Sequence, residues 1–237
     1  MSLILCIETG TDICSVGLVK DGRLVSLRES GEGRDHARRA ALFVDEILSE
    51  HGVKAPELSA VAVGKGPGSY TGLRIGVSLA KGICYGAGVP LIGIGSLEAL
   101  AEVAAEDYRA GIVEVEAWDR ALLCPMVDAR RMEVYAQVFD TRGNAMSEVG
   151  AHVVDGGSFA EFISPQGEFV IFGNGAPKCA QVLPAEGVRL VQVAPSARGF
   201  ARLAQRALEE KRFEDTAYFE PFYLKDFMVI PSRKKIF

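Results

Sequence analysis

The sequence predicts an α/β protein made of two related lobes. Its opening, "LILCIETGTDICSVGLVKDGRLVSL", is a set of apolar runs broken at "ETGTD" and "KDG", which is the pattern of a β-meander with an Asp-Gly turn. Residues 121–149, "ALLCPMVDARRMEVYAQVF" and then "DTRGNAMSEV", repeat the plan: an apolar strand ending in an acid, a polar turn, a second strand and a Gly-containing turn. Glu8 to Gly22 is 14 positions and Asp128 to Gly143 is 15. A period near half the chain points to duplicated lobes rather than to a solenoid of short repeats. After each meander the pattern changes to alternating helix and strand, the third observation.

In the first lobe, "DHARRAALFVDEILSEHG" has Asp35 as N-cap, Ala40, Val44, Ile47 and Leu48 at helical spacing, and Gly52 as a stop. "LSAVAVGKGPG" is a buried strand; a helix over about 69–86, a strand at "VPLIGIG" and a helix from Ser96 follow. The second lobe offers a strand at 168–173, a short helix after Asn174, a strand at "VRLVQV" and a helix in "SARGFARLAQRALEEKR". Between them, 106–120 is charged and weakly patterned, so the expected lobes are 1–110 and 111–237.

At 237 residues and 49% hydrophobic the chain has ample material for real cores. A net charge of −5 generates no broad attraction for nucleic acid or anionic membrane, so any such contact must be local. No 18 apolar residues occur together, and the N-terminal apolar run lacks the basic flank of a secretory signal. Five cysteines without C-x-x-C spacing read as buried, reduced thiols of a cytoplasmic protein.

His36, His51 and His152 form no metal-binding pair, and G-x-S-x-G is absent, which removes zinc peptidases and the hydrolase nucleophile elbow. The acids Glu8 and Asp128 sit at corresponding strand ends, where a phosphotransferase places carboxylates and where ordinary turn polarity also places them. "GTD" after Glu8 is able to wrap a phosphate, whereas "ARR" after Asp128 has no glycine. With "FGNGA" at 172–176, this defines a candidate ATP or ADP cleft of Glu8, Thr9, Gly10, Asp128, Gly173 and Gly175, with no metal ligand.

"GKGPGSYTGLRIG" at 64–76 matches neither the P-loop nor the dinucleotide fingerprint, although a helix N-terminus there suits an anion and Ser69 suits an N-cap. The helix that follows holds Gly72, Gly76, Gly82 and Gly86. Each interior Gly costs roughly 0.8 to 1.0 kcal/mol relative to Ala, which close approach of another backbone offsets. That approach is either to a neighbour in the same lobe or to another subunit.

These stretches, together with "GSLEALA", "DARRMEVYAQVF" and "FYLKD", closely resemble the TsaB family of bacterial tRNA threonylcarbamoyladenosine (t6A) biosynthesis proteins, the former glycoprotease-like family. The resemblance implies a duplicated actin-like fold similar to sugar kinases and Hsp70. It also implies a non-catalytic subunit that binds the transferase TsaD, with TsaE and tRNA joining through the complex and a homodimer forming when the partner is missing. The catalytic relative carries two metal-binding histidines on its first-lobe helix, where this chain has His36 alone. The expected docking helices are about 35–51 and 69–86, with Ala40, Val44, Ile47, Gly72, Gly76, Leu79 and Ile83 at the interface. An ATP-dependent phosphotransferase is the competing function. Lys225, Arg233, Lys234 and Lys235, interleaved with Phe222, Tyr223, Phe227 and Phe237, fit either an RNA contact or an anchored strand with a basic end.

Overall fold

The computed structural model describes residues 1–31, 35–164 and 166–225. Strands β1 (Leu3–Glu8), β2 (Cys14–Lys20) and β3 (Arg23–Ser30) form the expected antiparallel meander. The β2–β3 turn places Asp21 and Gly22 at φ 48° and 74°, the left-handed pair that an Asp-Gly hairpin turn requires. Strands β4 (Ala60–Gly66) and β5 (Leu91–Gly95) extend the sheet in parallel, in the order β3-β2-β1-β4-β5.

The second sheet repeats this plan. Strands β6 (Leu122–Asp128), β7 (Glu133–Ala136) and β9 (Gly150–Val153) are antiparallel, while β10 (Phe169–Phe172) and β11 (Val188–Leu190) continue in parallel from β6. A two-residue strand, β8 (Phe139–Asp140), also pairs with β6. The order β9-β7-β6-β10-β11 matches that of the first sheet strand for strand, so the chain has a duplicated, two-lobe actin-like fold.

Alternate residues of the first sheet face opposite ways, and both faces are apolar. Leu5, Ile7, Val16 and Leu18 pack under α1 (His36–Glu50) and α2 (Tyr70–Ala87). Ile4, Cys6, Ala62 and Ile92 pack under Phe200, Leu203, Ala204 and Ala207 of α5 (Phe200–Glu209). Residues on both sides of the expected 110/111 boundary thus build the first lobe. A sheet buried on both faces needs two covering layers, and much of the second one comes from α5, beyond residue 110.

The helix between the sheets, α3 (Ser96–Arg109), buries Leu97, Leu100 and Ala104 in the second lobe beside Leu123, Val170 and Phe172, while its Ala99 packs in the first. The short helix α4 (Ala176–Cys179) closes the far side of the second sheet.

After α5 the chain returns across the first lobe. Glu214 N donates to Leu91 O, Lys81 Nζ donates to the carbonyls of Ala217 (3.1 Å) and Phe219 (3.0 Å), and Phe222 N donates to Lys65 O. Lys225 then ion-pairs with Glu133 of the second lobe. Phe227, Arg233, Lys234, Lys235 and Phe237 lie outside the described residues. Among those described, no helix is long and apolar enough to cross a membrane.

Candidate docking surface

The turn after β1 is closed from inside. Glu8 is only 2% exposed; its carboxylate accepts from Gly10 N (2.6 Å) and from Ser96 Oγ (3.0 Å). Thr9 Oγ1 donates to Gly72 O (2.8 Å), and Gly10 O accepts from Ser69 N (2.7 Å). His36, also buried, has Nε2 2.8 Å from Thr11 O. A phosphate cradle needs free N–H groups, but here Gly10 N is spent on Glu8 itself. Of the expected cleft residues on this turn, Glu8, Thr9 and Gly10 are thus engaged with one another and with α2 and Ser96.

The glycines of α2 explain this closure. A Cβ on Gly72 would overlap Thr9 O, one on Gly76 would overlap Thr9 Oγ1, and one on Gly68 would overlap Gly10 O. Their missing side chains let the start of α2 rest on the 8–11 turn, while Ser69 Oγ accepts from Gly72 N as the N-cap. Asp35, by contrast, makes no capping hydrogen bond and ion-pairs with Arg38.

Burial raises the pKa of Glu8 above the ordinary carboxylate value, against the opposing pull of the Gly10 N–H and Ser96 hydroxyl. The folded chain then holds this proton more tightly than the unfolded chain does. The stability from this group is present below the unfolded pKa and lost as pH rises through the folded one. Glu8→Gln, which stands in for the protonated acid, should therefore gain thermal stability relative to the parent as pH is raised from about 4 to 7. A midpoint difference that stays constant or shrinks over that range would show that the carboxylate is not held protonated.

In the second lobe, Asp128 Oδ1 accepts from Lys178 Nζ (2.9 Å) and Arg130 N (2.5 Å). Lys178 Nζ also donates to Arg131 O and Glu133 O, both at 2.7 Å. Gly173, at φ 94°, lies against Met126 O and Leu100, and a Cβ on Gly175 would press on the backbone of Val127 and Asp128. These two glycines serve helix-to-strand packing, so the structure offers no open second cradle at Asp128. Both turns flank one face of α3, through Ser96 and Leu100. Among the described residues no group of three His, Cys, Asp or Glu side chains is placed to hold a metal ion.

The expected interface residues divide by helix face. Ala40 and Ile47 are fully buried, Val44 is nearly so, and Gly72 and Gly76 are buried on the 8–11 turn. All five belong to the interior of the first lobe, which corrects their assignment to a partner contact. Leu79 and Ile83 instead line the outer side of α2, half-buried.

There the helix also presents Ile75, Ser78, Gly82 and Gly86, and a Cβ on either of these glycines would meet nothing within 4 Å. A groove of about 420 Å³ lies between Ala37 of α1 and the N-terminal half of this face, at Thr71, Ile75, Ser78 and Leu79; Gly82 and Gly86 lie beyond it. Its rim is Tyr70, whose ring lies 5.0 Å from that of Tyr223 at a tilt of 35° and is covered by Arg74, whose Nε donates to Tyr223 OH (3.1 Å). Sequence reasoning marked Gly82 and Gly86 with Gly72 and Gly76 on the expected docking helix but left them out of the interface residues, and it did not bring Tyr223 to this surface. The glycines were legible as the pair left over once Gly72 and Gly76 are assigned inward, whereas nothing local marked Tyr223.

The family model described as "TsaD: tRNA N6-adenosine threonylcarbamoyltransferase" matches residues 31–227. The tRNA threonylcarbamoyladenosine biosynthesis protein TsaB of Escherichia coli K12 is 30% identical over 229 residues, covering 94% of each chain. The chain belongs to the TsaB family. TsaB of Haemophilus influenzae is 36% identical over 132 residues, an alignment spanning 56% of this chain and 51% of that one. Among solved structures, YeaZ from Pseudomonas aeruginosa is similar with a TM-score of 0.79 at 25% identity, covering 94% of this chain and all of that one. TsaB-family membership over both lobes agrees with the duplicated topology above.

Proposed function

We propose that this chain is a non-catalytic subunit of the t6A tRNA-modification machinery that docks the transferase TsaD through the outer face of α1 and α2. The observation that supports this reading is the pairing of two features on one lobe: the outer face carries a groove with Ile75 and Leu79 in its lining and is open at Gly82 and Gly86, while the 8–11 turn beneath it is packed against α2. An exposed patch of that kind marks a contact surface. The TsaB names of the relatives supply the t6A context. TsaE and tRNA are partners of the assembled complex, and the same face supports a homodimer when TsaD is missing.

Calorimetric titration against TsaD tests the docking, with sedimentation of the chain alone to detect the homodimer. Absence of heat and of co-sedimentation would remove the reading. The isolated chain should also turn over ATP far more slowly than about 1 per second, the low end of ordinary enzymes. Faster turnover that disappears in Glu8→Ala and Asp128→Asn variants would favour the phosphotransferase instead.

A further inference from the structure

The β6–β7 turn holds two consecutive non-glycine residues in the left-handed region, Arg130 (φ 72°) and Arg131 (φ 51°). Asn-Gly or Asp-Gly occupies such a pair with far less strain, as Asp21-Gly22 does between β2 and β3 of this same chain. Left-handed arginines therefore point to a use for their side chains. The turn is also rigidly pinned: Asp128 takes Arg130 N, and Lys178 holds Asp128, Arg131 O and Glu133 O together.

Both nearby carboxylates are already engaged, Asp128 by Lys178 and Glu133 by Lys225. Among the described residues, neither exposed guanidinium has an ion pair or a hydrogen bond of its own. The result is a local excess of positive charge on a chain whose net charge is −5. Lys225 is two positions from Tyr223, whose hydroxyl meets Arg74 on the rim of the groove. Two residues of chain span at most about 7 Å, so the cationic turn adjoins the proposed docking face.

We infer that Arg130 and Arg131 form a contact for the phosphate backbone of RNA, here tRNA held by the complex. Guanidinium forks match phosphate oxygens and supply position without reading sequence. An acidic protein partner is the lesser fit, since Met132 is the one exposed apolar side chain at the turn tip and a protein interface needs an apolar centre. The inference rests on the t6A reading for its choice of RNA, and not on any residue of the groove.

The test is fluorescence anisotropy of an unmodified tRNA transcript titrated over a range of salt, with the TsaD complex and with the chain alone, comparing Arg130→Gln/Arg131→Gln with the parent. The expected result is roughly tenfold weaker binding at low salt and a slope of log K against log salt smaller by about 1.4 to 1.8, for two lost phosphate contacts. The charge-matched control Arg109→Gln/Arg142→Gln should leave both unchanged, and Arg130→Lys/Arg131→Lys should retain most of the affinity. Arg131→Gly supplies a folding control, because it relieves strain: its thermal midpoint should rise while RNA affinity falls.

An unchanged salt slope in the double Gln variant overturns the inference. So does weakened TsaD binding with RNA affinity intact, which would assign the arginines to a protein. If TsaD does not bind at all, the docking proposal fails, and the titration of the chain alone still decides the RNA contact.

Discussion

Gly82→Arg is expected to weaken association with TsaD by about thirtyfold or more while leaving the chain at least as stable as the parent. A side chain at this position meets nothing within 4 Å in its own lobe, so the fold accommodates it. Replacing an interior helical glycine should itself add roughly 0.8 kcal/mol of helix stability. At a docked interface the same arginine inserts a long charged group among Ile75, Leu79 and Ile83, where a partner backbone would approach. Truncations at the centre of an interface cost 2 kcal/mol or more, and an unpaired buried charge costs at least as much, so an affinity loss of about thirtyfold or greater is expected. Calorimetry against TsaD and a thermal melt are the two measurements. A stable Gly82→Arg chain that binds TsaD normally would move the interface off α2 altogether.

Gly72→Val should give the opposite pair of results, a damaged fold whatever the partner does. Its side chain would occupy the space of the Thr9 carbonyl, and the displacement would also break the Thr9 Oγ1 bond to Gly72 O. Backbone cannot move aside as a flexible side chain can, and overpacking of this kind together with a lost buried hydrogen bond costs roughly 3 to 5 kcal/mol. For a chain of this size that lowers the thermal midpoint by about 10 °C. Loss of TsaD binding in this variant would accompany the loss of structure, so circular dichroism must be recorded beside it. A normal midpoint for Gly72→Val would mean that α2 does not rest on the 8–11 turn, and the anion-site reading of the glycine loop would return.

The sequence by itself determined the elements and their duplication. Apolar runs with polar breaks located both meanders, Asp21-Gly22 specified its own turn, and Ser69 specified the start of α2, because each of these signals acts over a few residues of backbone. Helical periodicity likewise found Ala40, Val44 and Ile47, but it finds the apolar stripe that a lobe claims for its own core, and so it pointed to the inside of α1 rather than to a docking face. Which pair of α2 glycines is buried was decided only in three dimensions. Gly72 and Gly82 are the same residue type in the same helix, and they differ because Thr9, far away in the chain, lies against the first and nothing lies against the second. The same holds for α5, whose pattern shows an apolar face without saying which sheet it covers, and for Tyr223, which reaches Tyr70 only because the chain returns over the first lobe. Local backbone preference and side-chain period are written in neighbouring residues; the choice of which apolar face stays exposed depends on how long-range packing uses up the others.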